Sequence, residues 1–88
     1  GLRLSPPKAE IKVRDAVQTL VLEGQILNPS GGERVIPTLR AIPTAPDGKL
    51  MESWTLEPSL KSLQPGEIAA YRDERMLSSP VAEVTVTF

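Results

Sequence analysis

The chain has no cysteine and no histidine among its 88 residues. Without cysteine it can form neither a disulfide nor a zinc-thiolate site. Without histidine it lacks the commonest general base and the Ser-His and Cys-His nucleophile pairs. The scattered aspartates have no calcium-loop spacing, and no glycine-rich phosphate-binding loop precedes a helix. We therefore expect no enzyme activity, no cofactor and no metal site.

Aromatic residues and excess charge of one sign are also scarce. Trp54, Tyr71 and Phe88 are the only aromatic residues, and ten basic residues against eleven acidic ones leave a net charge of -1. Nucleic-acid-binding domains rely on basic patches or on stacked aromatic platforms, so nucleic acid is not expected as a partner. No apolar run approaches the roughly 20 residues that span a bilayer. We expect no membrane contact by this segment itself.

Nine prolines and six glycines separate short aliphatic and β-branched runs, which is typical of many short strands. Residues 20–28 and 81–88 alternate apolar and polar side chains, further strands are expected over residues 35–44, 50–56 and 68–71, and a weaker one is expected near residues 11–13. Residues 58–63 are the only helical candidate. We predict one all-β domain over residues 1–88, an immunoglobulin-like antiparallel sandwich of about six or seven strands, with residues 1–10 as a flexible lead-in.

Two features predict particular positions within that sandwich. The pair Pro65 and Gly66 is typical of a type II turn, whose third residue needs positive φ. The single tryptophan, Trp54, is expected in the core between the sheets, as in other sandwiches of this size. Strand alternation places four apolar residues beside it: Leu22, Leu39, Val84 and Val86.

The run over residues 35–44 contains the candidate binding site. Pro37 and Pro43 cannot donate to a neighbouring strand, so this run is predicted to lie at a sheet edge or at a bend. An open edge can accept a partner by strand addition. Thr38, Arg40 and Ile42 are therefore the candidate partner-binding residues, together with the loop over residues 28–34. Contact through a sheet face or a loop end is equally compatible with the fold.

A second candidate surface is the mixed-charge run over residues 72–75. It could dock a partner, but such runs are more often solvated strand ends or loops.

The order of seventeen residues resembles a known bacterial family. They are Gly24, Asn28, Pro37, Leu39, Arg40, Asp47, Gly48, Trp54, Leu63, Pro65, Gly66, Glu67, Tyr71, Pro80, Val84, Val86 and Phe88. Over residues 19–88 this set resembles the bacterial domain of unknown function that lies C-terminal to a cytoplasmic zinc ribbon and a single membrane helix. Two departures are Tyr71, where the family usually has Phe, and the extra proline within residues 42–46.

The resemblance implies architecture more than activity. It implies an immunoglobulin-like envelope domain on the extracytoplasmic, periplasmic side of a bacterial inner membrane, in a membrane-anchored protein. It brings no ligand and no catalytic residue.

Two functions from different classes remain open after the sequence alone. The first is a non-catalytic interaction or structural module of a bacterial envelope protein, with a protein partner of unknown identity. The alternative is a small-ligand-binding sandwich, a sensor-type extracytoplasmic domain, with a cavity between the sheets near Ala41, Ala70 and Ala82. A pocket larger than about 300 Å³ with convergent polar groups would favour the alternative.

Overall fold

The computed structural model describes residues 1–88 and consists of strands joined by turns and loops. The predicted all-β sandwich is confirmed, and no helix capable of crossing a membrane is present. Residues 58–63, a helical candidate that was too short to matter, form no helix: Pro58 bridges to Tyr71, and the segment ends in a strand. The nine strands are β1 (Arg3–Leu4), β2 (Lys8–Arg14), β3 (Val17–Leu27), β4 (Arg34–Val35), β5 (Leu39–Thr44), β6 (Trp54–Leu56), β7 (Ser62–Leu63), β8 (Ile68–Leu77) and β9 (Glu83–Thr87).

The larger sheet is built around β3, which pairs antiparallel with β8 on one side and with β1 and β2 on the other. β1 and β2 follow one another along the same edge and are separated by Ser5, Pro6 and Pro7. Proline has no N–H to donate, so the break falls where the prolines are. Residues 1–10, expected as a flexible lead-in, instead include β1 and the first three residues of β2, all paired with β3.

The smaller sheet has the order β6-β5-β9, and β4 pairs with β7 in a separate two-stranded ribbon. Eight buried residues from both sheets and the ribbon form the core, which closes the space between the sheets. The alternation predicted for β3 is confirmed at Leu22 and Ile26, whose side chains are fully buried. The core residues are Leu22, Ile26, Leu39, Ala41, Leu56, Leu63, Ala69 and Tyr71.

Tight turns connect several of the strands. Gly66 has a φ of 76°, and the backbone N–H of Glu67 donates to the carbonyl of Gln64 at 3.0 Å, which confirms the type II turn. The β2–β3 hairpin turns at Asp15 and Ala16, both with positive φ. Positive φ at both central residues is the hallmark of the type I′ hairpin turn. Ala is a rare choice in this conformation, so these two residues do not predict a hairpin.

Candidate interaction surface

The predicted partner-binding edge is wrong in its placement, because β5 is the central strand of its sheet. Residues 39–41 pair with β6, and residues 40–44 pair with β9. Thr38 lies just before β5, Arg40 is exposed, and Ile42 is half-buried. Arg40 and Ile42 already pair with neighbouring strands, so their backbone is not an open edge for strand addition.

Pro43 is tolerated in a central strand because its backbone faces residues 51–53, which lie outside any strand. Its carbonyl accepts from the N–H of Met51 at 2.9 Å, so its backbone points toward the β6 side. β6 begins only at Trp54, beyond that point. The pairing of β5 with β9 instead uses Arg40, Ile42 and Thr44, which alternate with Pro43 along the strand.

The loop predicted to adjoin the binding edge is held by the fully buried Asn28. The side-chain amide of Asn28 donates to the carbonyls of Gly32 and Leu63 at 2.8 and 2.9 Å. Its side-chain oxygen accepts from the backbone N–H and the hydroxyl of Ser30 at 3.0 and 2.6 Å. These bonds tie the loop to β7, so Asn28 is a structural residue and not a contact for a partner.

An open strand edge does exist, at β2. All seven residues of β2 are exposed, and β2 pairs with β3 alone. We call residues 8–19 and 74–77, where the larger sheet extends past the core cluster, the arm. No residue of the core cluster lies in it. Its exposed apolar side chains are Ile11, Val13, Val17 and Met76, which are 45%, 66%, 43% and 73% exposed.

Charged residues cover the outer face of the larger sheet. Arg72 contacts Glu23 at 3.2 Å and Glu74 at 2.7 Å. The hydrogen bond from Arg72 lowers the pKa of Glu74, with further lowering by the nearby charges of Lys12 and Arg14, and the bond to Glu74 raises the pKa of Arg72. All these groups face solvent, so the network contributes little to stability. It gives the outer face of the arm a mixed-charge surface.

The mixed-charge run over residues 72–75 lies inside β8, and strand alternation sends its side chains to opposite faces. Arg72 and Glu74 face outward, whereas Asp73 and Arg75 face the smaller sheet. The indole N–H of Trp54 donates to Asp73 Oδ2 at 2.8 Å, and the Arg75 guanidinium carbon lies 4.4 Å from the centre of the indole ring. Arg72 and Glu74 therefore belong to the outer surface, whereas Asp73 and Arg75 contact Trp54 between the sheets.

A cleft of about 470 Å³ opens beside Trp54 and is lined by residues of β5, β6 and β8 and of the segments next to these strands. Its volume exceeds the 300 Å³ expected of a ligand pocket, but most of the lining residues are exposed. The predicted position of the cavity is wrong, because none of the three alanines lines this cleft: Ala41 is buried in the packed core, and Ala70 and Ala82 are exposed. The polar residues of the cleft are Glu52, Ser53, Arg75, Ser78 and Ser79. No group of three or more acidic side chains is placed to hold a metal ion.

Trp54 is half-buried, packed against the core cluster together with Val84 and Val86, while Leu22 and Leu39 are fully buried. The expectation of complete burial is therefore too strong. Trp54→Ala should lower the free energy of unfolding by about 2 kcal/mol, less than the 3 to 5 kcal/mol for a fully buried large aromatic.

Urea unfolding followed by circular dichroism measures this change. Thr55→Ala, an exposed neighbour on β6, is the control and should change stability by less than about 1 kcal/mol. Equal stability of the two variants, with native emission typical of a water-exposed indole, would contradict the packing of Trp54.

Several residues that carry the family resemblance have roles in the fold. Gly48 and Gly66 occupy turns with positive φ, Asn28 anchors a loop, and Tyr71 lies in the core. Each of these residues therefore has a structural role, and none of them is assigned to a ligand. No protein-family model, curated protein or solved structure matches this chain, and the family assignment stays a prediction.

Proposed function

We propose that this chain is a non-catalytic protein-interaction module of a bacterial envelope protein and that its binding surface is the arm. The observation that carries this proposal is the fully exposed strand β2, with apolar side chains on a sheet that the core does not cover. Open strand edges and exposed apolar side chains are both common features of protein-binding surfaces. The envelope location, on the periplasmic side, follows from the family resemblance.

The distribution of chemical groups supports a non-catalytic role. The chain contains no histidine or cysteine, and its three groups with shifted pKa values are Tyr71, Arg72 and Glu74. Burial raises the pKa of Tyr71, whereas Arg72 and Glu74 pair with each other on an exposed face. None of the three lines the cleft beside Trp54. They do not form an acid, base or nucleophile constellation.

Site-specific photocrosslinking in the full-length protein, in living bacteria, tests the proposal. A photoreactive amino acid at Val13, on the arm, should give a discrete crosslinked protein that mass spectrometry identifies. The same amino acid at Thr38, which is exposed but outside the arm, is the matched control. Products of equal yield from both positions, or none from Val13, would refute the arm as the binding surface.

The second candidate function, binding of a small ligand, is favoured by the cleft beside Trp54. Arg75 is the cationic residue of this cleft and forms no ion pair, so an anionic ligand would suit it best. Trp54 is the only tryptophan and reports on the cleft directly. A saturable change in its fluorescence with citrate or inorganic phosphate, lost in Arg75→Gln, would favour this candidate over the first.

A further inference from the structure

The unpaired edge of β2 is long, and its only protection is the row of charged side chains on its outer face, Lys8, Glu10, Lys12 and Arg14. It runs for seven residues without proline, and its register with β3 is continuous. Proteins usually guard such an edge with charged side chains, proline, a bulge or a covering segment, because its free backbone groups pair readily with another strand. β2 has charged side chains of both signs, which can repel one partner strand and pair with another, depending on the register.

The free backbone groups of this edge belong to alternate residues. The N–H of Ser5 donates to the carbonyl of Gln25 at 2.9 Å, so Gln25 points its backbone toward the edge occupied by β1 and β2. Alternation along β3 then directs the backbone of Glu23, Val21, Thr19 and Val17 toward β2, where their partners are Lys8, Glu10, Lys12 and Arg14. The backbone groups that point away from β3 are those of Ala9, Ile11 and Val13.

We propose that a second copy of this chain occupies this edge, with the two β2 strands antiparallel about a twofold axis at Ile11. The inference rests on the proposed function, since it names the partner of the arm. A twofold axis at this residue places Ile11 opposite Ile11 and Ala9 opposite Val13. All three outward-pointing residues of each copy then form hydrogen-bonded pairs, and the two larger sheets become one continuous sheet.

The side chains on both faces suit this register. On the inner face, Ile11 and Val13 are largely exposed in the single chain and would be covered by apolar side chains of the copy. On the outer face, Glu10 of each copy lies opposite Lys12 of the other, which gives two opposite-charge pairs. Lys8 opposite Arg14 is a like-charge pair, but it lies at the two ends, where solvent screens it.

The other open part of the same sheet does not have this complementarity. The N–H of Ser59 donates to the carbonyl of Ala70 at 2.7 Å, so alternate residues of β8, including Glu74, point their backbone away from β3. A twofold axis at Glu74 would place two carboxylates opposite each other, which is unfavourable. This register on β8 is therefore less favourable than the register proposed for β2.

Charge reversal tests the proposed register. Sedimentation equilibrium at low ionic strength should show a monomer–dimer equilibrium for the unaltered chain. Glu10→Lys or Lys12→Glu alone turns both opposite-charge pairs into like-charge pairs and should weaken dimerisation about tenfold or more. The double variant exchanges the two charges, restores both pairs and should return the dissociation constant to within about threefold of the original. Thermal unfolding of each variant checks that the fold is retained.

Disulfide trapping gives a second test of the register. Because the chain has no cysteine of its own, only the introduced cysteines can form a disulfide. Glu10 and the copy's Lys12 form a non-hydrogen-bonded pair, whose Cα atoms lie about 4.5 Å apart, within disulfide range. A mixture of Glu10→Cys and Lys12→Cys chains carrying different tags should give the mixed disulfide, and each variant alone should give little.

Three outcomes would overturn the self-pairing. They are a chain that stays monomeric at every concentration, a double variant as weak as the singles, and a mixture without mixed disulfide. If the chain is monomeric while Val13 crosslinks to a different protein, self-pairing fails and the proposed function stands. If Val13 gives no crosslink to any protein, the proposed function itself fails.

Discussion

Replacing Gly24 by Ala should lower the free energy of unfolding by about 3 to 5 kcal/mol, although the change adds only one methyl group. Gly24 lies directly opposite Tyr71 in the β3–β8 pair, and a Cβ at this position would overlap the tyrosine ring and its hydroxyl. Tyr71 is 3% exposed and belongs to the core cluster. The methyl group therefore requires the ring to move out of the core, and loss of a buried large aromatic costs about this much.

Gly31→Ala is the matched control, because a Cβ there meets nothing within 4 Å. Its stability should lie within about 0.5 kcal/mol of the unaltered chain. The cost of Gly24→Ala should also shrink in a Tyr71→Leu background, because the clash partner is then absent and the two changes are coupled. Chemical denaturation of the four variants measures both effects. Equal stabilities of Gly24→Ala and Gly31→Ala would show that the ring does not depend on the glycine.

The hydroxyl of Tyr71 is buried without a hydrogen-bond partner, and burial raises its pKa. An unpartnered polar group in a core costs free energy, whereas the aromatic ring itself is stabilised by packing across the glycine. A phenylalanine at this position would keep the ring packing and remove the unpartnered hydroxyl.

The parts of the fold that depend on alternation and turn chemistry could be predicted from the sequence. Leu22 and Ile26 follow the period of two that one buried face imposes, and Gly66 supplies the positive φ that its turn requires. These are local constraints, which a single sequence contains directly. They are sufficient to predict that the chain folds as an all-β sandwich.

The arrangement of strands within the sheets could not be predicted in the same way. Pro43 predicted an edge because proline lacks a backbone donor. In the structure its nitrogen faces a segment in which β6 has not yet begun. Where β6 begins cannot be read from the residues around Pro43. The hairpin at Asp15 and Ala16 has no glycine to mark it. The open edge therefore lies at β2, within a segment whose strand signal is weak.

The burial of the Asn28 amide could not be predicted from the sequence either, since an asparagine that precedes proline and glycines is typical of a surface loop. Its donors face the carbonyls of Gly32 and Leu63, the second of which is 35 positions away along the chain. Only the folded structure brings these groups together. A substitution that removes these hydrogen bonds is therefore expected to destabilise the fold strongly.

Asn28→Asp should lower the free energy of unfolding at neutral pH by about 3 to 5 kcal/mol, the usual cost of an uncompensated buried charge. The change keeps the shape of the side chain but places a carboxylate oxygen against two carbonyls that previously accepted hydrogen bonds. Burial and these carbonyls favour the protonated acid, so the folded pKa of the new aspartate should lie above its unfolded value of about 3.9.

The sign of the pH dependence follows from that shift. Below pH 3.9 the side chain is protonated in both states, and the protonated acid can donate one of the two hydrogen bonds of the amide, so the difference from the unaltered chain is smallest there. The difference should grow as the pH rises through the unfolded pKa and level off above the folded pKa. Gln18→Glu, which makes the same chemical change at an exposed position of β3, is the control and should remain close to the unaltered chain throughout. Urea unfolding at a series of pH values measures both variants. A constant difference between Asn28→Asp and the unaltered chain from acid to neutral pH would mean that the aspartate is solvated and that the loop has opened.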